Sequence, residues 1–303
     1  MQGNWALAKK RSRLEQRARI VQTIRSFFIE RDFLEVETPH RIPGNAPEAH
    51  IDAVPSDGWF LHTSPELCMK RLLAAGYPRL FQLCRCWRAA ERGARHLPEF
   101  AMLEWYVAHC DYHLLMQQCE ALLGALLPEE ILTYQGRAID LGSPWERLTV
   151  AEAFDRFGSR SLQQALREDR FDEIISLEIE PRLGIQRPTF LIEYPSELAA
   201  LARRHPQRPG VAERFELYIA GLEVANAFSE LTDPVEQRQR FAVEEALRRK
   251  SGKPPYPSPE PFLLELDAMP EAAGIALGLD RLVMLLTDAA TIDDVVAFTP
   301  ELL

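Results

Sequence analysis

The stretch FQLCRCWRAAERGARHLPEFAMLEWY, residues 81–106, decides the fold. Two apolar runs, Leu80–Trp87 and Phe100–Val107, have the length and side-chain types of buried strands and flank a polar loop at 89–97. Alternation along the second run puts Phe100, Met102, Glu104 and Tyr106 on one face, so an aromatic platform, a carboxylate and a phenol share one surface. Arg88, Arg92, Arg95 and His96 gather cationic and hydrogen-bonding side chains in the loop, which suits a polyanion such as a triphosphate. An exposed basic turn on an ordinary hairpin has the same composition, and this stretch alone does not choose between the two.

Working outward, residues 13–31 carry Leu14, Ala18, Val21, Ile24, Phe27 and Phe28 at helical spacing, followed by Phe33-Leu34-Glu35-Val36-Glu37-Thr38-Pro39, which alternates like an edge strand stopped by proline. Thr63-Ser64-Pro65-Glu66 offers a cap, a proline at the first helical position and a first-turn acid for a helix reaching Gly76. Another helix is expected over about 111–127, and Thr149-x-x-Glu152 is a capping box. Phe215–Ile219 and Leu222–Phe228 flank Ala220-Gly221 as a hairpin, and a charged helix follows over about 234–250. Lys253–Pro261 holds five prolines and reads as a loop, after which Gly274–Leu277 is a strand entering a helix at Leu279–Leu286. No internal repeat is visible.

Two further segments carry chemistry. With Ala220-Gly221 as a two-residue turn, Ile219 pairs with Leu222 and Tyr218 with Glu223, so 216, 218, 223 and 225 share one face. Glu216 and Glu223 then lie diagonally adjacent, about 7–8 Å apart at the backbone, where they can hold Mg²⁺ between them or simply be solvated. In Gly274-Ile-Ala-Leu-Gly278-Leu-Asp-Arg281, Gly278 stands where strand becomes helix and Arg281 in the first helical turn. An arginine there faces the positive end of the helix dipole, which is favourable when both share a bound anion.

At 303 residues with 47% hydrophobic side chains, the chain can bury a sizeable core in one α+β domain. No apolar run of signal-peptide or membrane-spanning length is present, which points to a cytoplasmic protein without a membrane partner. The five cysteines form no Cys-x-x-Cys pair and read as buried free thiols rather than metal ligands. A formal charge of −10 opposes long-range attraction to nucleic acid, and the basic clusters at 9–13 and 203–204 read as solvated faces.

Taken together, in order and spacing, these segments resemble the catalytic core of class II aminoacyl-tRNA synthetases, an antiparallel sheet flanked by helices. Motif 1 falls at about 20–39, motif 2 at about 80–107 and motif 3 at about 274–286 of one domain covering 1–303. Glu223-Val-Ala-Asn-Ala-Phe-Ser-Glu230, with Arg95-His96 and Pro98-Glu99-Phe100, narrows the likeness to the lysyl branch. The motif 1 helix begins within the first twenty residues, leaving no room for that branch's anticodon-binding barrel, and Pro43-Gly-Asn-Ala-Pro-Glu stands in place of its Gly-Gly-Ala loop. Such a core is similar to the elongation factor P–lysine ligase family, in which Ala276 has its counterpart where lysyl-tRNA synthetases have glycine.

The resemblance implies that the carboxylate of lysine or (R)-β-lysine attacks the α-phosphate of ATP, with Mg²⁺ as cofactor, and that a lysine side chain of elongation factor P then takes the acyl group. Catalysis would rest on positioning and charge neutralisation, with no protein nucleophile. Carried over residue by residue, Arg88 lies on the α-phosphate and Arg281, with Arg95 and His96, on the outer phosphates. Phe100 stacks on adenine, and Glu216 and Glu223 hold Mg²⁺. Glu66, Glu104, Tyr106, Asn226, Glu230, Ala276 and Gly278 line the amino-acid pocket. A homodimer built on motif 1 is the family expectation, and tRNA is not an expected partner. One position departs from the pattern: the family has glutamate two residues after the motif 2 arginine, whereas this chain has Ala90, so Glu91 becomes the expected substitute through a loop shift. The alternatives are a minimal lysyl-tRNA synthetase and a non-catalytic regulatory subunit.

Overall fold

The computed structural model describes residues 5–303; the first four residues of the basic N-terminal stretch lie outside it. Its main sheet has eight strands: β1 (Leu34–Glu35), β2 (Arg79–Trp87), β3 (Glu99–Ala108), β4 (Glu146–Thr149), β5 (Thr189–Ile192), β6 (Arg214–Ile219), β7 (Leu222–Ser229) and β8 (Ala272–Gly278). Their spatial order is β1-β2-β3-β8-β7-β6-β5-β4. The six central strands are antiparallel as expected, but both edge strands pair in parallel, so the sheet is mixed.

The helices that matter here are α1 (Arg11–Ile29), α2 (Glu66–Ala74), α3 (Tyr112–Leu126), α4 (Val150–Phe157), α5 (Pro234–Lys250) and α6 (Leu279–Leu286). Strand alternation sorts the sheet's two faces. Leu103, Trp105, Val107, Ile275, Leu277, Ala225 and Leu217 point to one side, where α1, α3 and α6 cover them in the largest apolar cluster. Within it Phe28 stacks on Phe81 with ring centroids 4.9 Å apart, and each fully buried side chain of this size contributes about 1.5–3 kcal/mol. The opposite face carries Glu104, Tyr106, Ala276, Asn226 and Glu216, with α2 and α5 standing on that side.

Local chemistry sets the element ends. Asp111 caps α3 by accepting the His113 N–H, the Thr149/Glu152 capping box opens α4, and Asp233 caps α5 with Pro234 at its first position. Ala220 and Gly221 both have positive φ (56° and 69°), the turn a tight hairpin of this hand requires. Three expectations are corrected. The edge strand ends at Glu35, well before Pro39, because after the Val36 N–H has bonded to the Phe81 carbonyl the Thr38 hydroxyl pairs with the Gln82 side chain instead of the ladder. Pro65 is the cap of α2 rather than its first residue, and the Ser64 hydroxyl accepts the Glu66 N–H. The proline-rich loop stops two residues early, since Glu260–Glu265 is a short helix with Pro261 inside its first turn.

The basic clusters are consumed within the chain. Lys10 donates to the Asp293 and Val296 carbonyls, Arg11 pairs with Glu15, Arg203 with Glu213 and Arg204 with Glu236. Among the described residues no helix is long and apolar enough to cross a membrane.

Candidate active site

A row of side chains crosses the polar face of the sheet. Gln82, Glu104, Ala276, Asn226 and Glu216 are successive cross-strand partners on β2, β3, β8, β7 and β6. Asn226 joins this row through a β-bulge: Tyr218 pairs with Glu223 but Leu217 pairs with Ala225, leaving Val224 as the extra residue. The unbulged hairpin would have put 225 on the face of 216, 218 and 223. The bulge instead sends Val224 and Ala225 into the core and turns Asn226 to Glu216. Glu216 and Glu223 share a face as expected.

At one end of the row lies an acidic pocket. Glu104, 1% exposed, accepts from the Ser64 hydroxyl at 2.6 Å and the Tyr106 hydroxyl at 2.8 Å. Burial, with Glu66 nearby, pushes its carboxyl up to about 8. Glu230, just past the end of β7, is equally buried and also pushed up to about 8 by burial, with Lys70 opposing. Its Oε2 lies 2.5 Å from the Lys70 ammonium, while Oε1 is buried without a hydrogen-bond partner. An orphaned buried acceptor of this kind is expensive unless a ligand donates to it. Gly274 leaves the space: a Cβ there would come within 2.2 Å of the Tyr106 ring and 2.4 Å of Glu230 Oε1. Gly274→Ala is therefore expected to lower stability by about 1–3 kcal/mol and to block the pocket. Urea denaturation and amino-acid activation, measured on the same preparation, check both effects.

The other end is cationic. Arg88, Arg95, His96, Phe100, Glu223, Gly278 and Arg281 line one cavity of about 360 Å³ together with Glu216, Asn226 and Ala276. The Arg88 guanidinium lies 5.1 Å from the Phe100 ring centroid, and its Nε is buried with no partner. Arg281 donates to the Glu223 carbonyl (2.9 Å) and carboxylate (3.2 Å) and lies 2.6 Å from His96 Nε2. His96 must accept there, and burial together with Arg281 depresses its basicity, which favours the neutral ring. Arg95 reaches the Gly221 carbonyl at 3.3 Å. Ala90 adopts a left-handed φ of 62°, and Glu91 lines the cavity.

Glu216 and Glu223 are hard oxygen donors of the type a divalent cation takes, and both already have protein partners. Glu216 already accepts from Arg214 (2.6 Å), Tyr194 (2.5 Å) and Tyr218 (2.6 Å), so it approaches a metal only with oxygens that are shared. Glu180, which sequence reasoning missed, accepts from Tyr218 at 3.2 Å, and burial plus repulsion from Glu223 and Glu216 pushes it up to about 7. The repulsion that Glu223 and Glu216 exert on Glu180 is what a bound divalent cation would relieve. Gly184, at φ +67°, brings that segment against the hairpin, where a Cβ would meet the Tyr218 carbonyl at 2.4 Å.

Other residues missed at first are Lys70, Arg214, Ser64 and Glu48. Lys70 follows Glu66 by four on a helix and Arg214 precedes Glu216 by two on a strand, so both were within reach of spacing arguments. Glu48, pushed up to about 7 by burial, sits in an irregular segment with no local signal. Away from the row, His62, Cys84 and Cys86 place their ligand-type atoms within 4.8 Å of one another, but His62 Nε2–H already donates to the Arg85 carbonyl at 2.6 Å. All five cysteines are free thiols.

Comparison with known proteins places this geometry in a family. A model of class II tRNA synthetases (D, K and N) matches residues 5–301. The elongation factor P–(R)-β-lysine ligase of Erwinia tasmaniensis is 40% identical over 98% of both chains, and that of Haemophilus influenzae strain Rd is 40% identical over 94% of both. The lysine–tRNA ligase of Moorella thermoacetica is 39% identical over 93% of this chain and 64% of its own length. With the antiparallel central strands, the arginine-lined cavity and the acidic pocket in place, the chain belongs to the class II aminoacyl-tRNA synthetase family of the aspartyl, lysyl and asparaginyl type.

Proposed function

We propose that this protein is an ATP-dependent amino acid ligase that activates (R)-β-lysine, or lysine, as its adenylate and transfers it to a lysine side chain of elongation factor P. The observation that carries this reading is an acidic pocket, with Glu104 and Glu230 buried and Glu66 partly exposed, beside an arginine-lined cavity that shares Ala276, Asn226 and Glu216 of the row. A diamino acid spans that polarity: its two ammonium groups meet carboxylates while its carboxylate faces Arg88. Relatives that match end to end and carry the ligase name support elongation factor P as the acceptor. Ala276, between Asn226 and Glu104 in the row, adds a methyl at the pocket wall where one bond's shift of an amine would be sensed, worth about 1–3 kcal/mol of preference.

In this reading the carboxylate of the bound amino acid attacks the α-phosphate, pyrophosphate leaves, and the acceptor amine then displaces AMP. Arg88, with its unpaired buried Nε, neutralises charge developing on the α-phosphate. Arg281 holds the outer phosphates, with Arg95 beside it, while neutral His96 fixes the Arg281 fork. Phe100 offers its ring to adenine. Glu223 and Glu216, with Glu180, would hold Mg²⁺, which supplies charge neutralisation on the phosphates. Asn226, kept in place by Arg214 at 3.1 Å, and Tyr106 orient the amino acid. All three motif segments build one sheet, which supports treating 1–303 as one catalytic unit; a homodimer through α1 and β1, in the cytoplasm, completes the proposal.

Incubation with ATP, Mg²⁺, (R)-β-lysine, elongation factor P and tRNA(Lys) together, followed by intact mass spectrometry, tests it. A β-lysyl adduct on the factor alone is expected. Charged tRNA would replace this reading with the tRNA ligase, which the Moorella relative keeps as the second candidate.

Because Glu104 and Glu230 are both raised to about 8 and must ionise to receive ammonium groups, KM for the amino acid should fall as pH rises from about 6 to about 8, with kcat changing less. Steady-state pyrophosphate exchange across that range measures this. The sign for stability is opposite. Each carboxyl binds its proton more tightly folded than unfolded, so between the ordinary 4.5 and about 8 these two groups lower stability as pH rises.

A further inference from the structure

Lys70 is 1% exposed, fixed on α2, and lies 2.5 Å from Glu66 Oε1 and 2.5 Å from Glu230 Oε2, with its ammonium 5.0 Å from the Phe228 ring centroid. Burial disfavours its charge, but Glu230 and Glu66 together hold it above the ordinary lysine value. The titratable groups facing it are Glu66 on its own helix, Glu230 beyond β7, and Glu104 and Tyr106 from β3, the last three buried. Without Lys70 the ionised pocket would carry three negative charges; with it, two. A lysine-type substrate brings two ammonium groups.

We propose that Lys70 is a positioning residue that sets the charge of the amino-acid pocket to match a diammonium substrate. This rests on the diamino-acid reading of the site and goes beyond it in assigning how the pocket counts charge. By occupying one oxygen each of Glu66 and Glu230, Lys70 fixes both carboxylates and leaves Glu230 Oε1, the orphaned acceptor, as the free position for a substrate ammonium. A pocket with three uncompensated carboxylates would retain a proton on one of them, and the substrate would have to displace it.

The test uses Lys70→Met, which keeps the volume and removes the charge, beside Lys70→Arg, which keeps the charge. Pyrophosphate exchange with (R)-β-lysine and L-lysine gives KM and kcat between pH 6 and 9, with a thermal melt on each variant. The methionine variant is expected to raise KM about 100-fold with a much smaller change in kcat, and to move the fall in KM to higher pH. The arginine variant should recover most of the KM and the original pH dependence. Unchanged KM and pH dependence in Lys70→Met would overturn the proposal, leaving Lys70 as packing. If that variant does not fold, Lys70→Arg decides: a KM near wild type supports the charge role, and a KM as poor as that of an uncharged Lys70→Gln overturns it. Wild-type protein that activates neither amino acid would instead refute the substrate reading, a result separable from any difference between variants.

Discussion

Replacing Glu230 by glutamine is expected to reduce kcat/KM for amino-acid activation by two to three powers of ten while leaving the fold intact. The carboxylate is 1% exposed, one oxygen paired with Lys70 at 2.5 Å and the other without a hydrogen-bond partner. A substrate ammonium donating to Oε1 would be a fully buried charge pair. Removing one partner of such a pair costs about 3–5 kcal/mol, because the remaining charge stays desolvated. Glutamine preserves the volume against Gly274, where a Cβ would already meet Oε1 at 2.4 Å, so packing changes little. The loss should appear mostly in KM, since the ammonium is present equally in ground and transition states. Pyrophosphate exchange with (R)-β-lysine, alongside a urea titration, measures both; kcat/KM within threefold of wild type would remove Glu230 from the amino-acid site.

Glu230 also illustrates how far the sequence could be read. Its membership of the pocket came from resemblance, since local pattern puts it two residues beyond the strand read as Leu222–Phe228. The hairpin at Ala220-Gly221, the strands around the arginine loop and the strand-to-helix step at Gly278 were legible from alternation and turn chemistry. The bulge at Val224 was legible only as a conflict: an ideal hairpin turns Asn226 away from Glu223, so a pocket role for Asn226 requires a bulge, but its place leaves no mark in a run of apolar side chains. Parallel pairing of the edge strands was equally hidden, because two-residue contacts such as Leu34 with Leu80 depend on tertiary placement.

Charge compensation was the other blind spot. The sequence reading placed these carboxylates without protein partners, whereas the fold supplies Lys70 to Glu66 and Glu230, and Arg214 to Glu216. Each partner lies at a spacing, four on a helix or two on a strand, that sequence displays without saying whether the side chains face inward. Glu180 arrives from a 3₁₀ turn packed near the hairpin and Glu48 from an irregular segment held by Arg248, which donates to the Glu48 and Ile51 carbonyls at 2.8 and 2.7 Å. Long-range contacts of that kind have no local signature.

The largest effect is expected from Arg88→Ala. The residue follows β2 directly, and its backbone N–H is fixed on the Pro98 carbonyl at 2.9 Å, so the guanidinium projects into the cavity from a rigid strand end. With its face on Phe100 and its Nε buried without a partner, it is prepared for an anion before one arrives. Negative charge on the α-phosphate grows as the amino-acid carboxylate attacks, and a preorganised cation aimed there stabilises the transition state more than the ground state. Loss of such an arginine lowers kcat by about 10³–10⁵, whereas KM for the amino acid, set at the other end of the row, should change little. Arg88→Lys keeps the charge but loses the fork, and should fall between the two. Single-turnover formation of the adenylate, followed by release of labelled pyrophosphate and paired with a thermal melt, separates this from misfolding. A folded alanine variant with kcat within tenfold of wild type would move the α-phosphate contact elsewhere, and Arg214, on the same cavity wall, would be the next residue to replace.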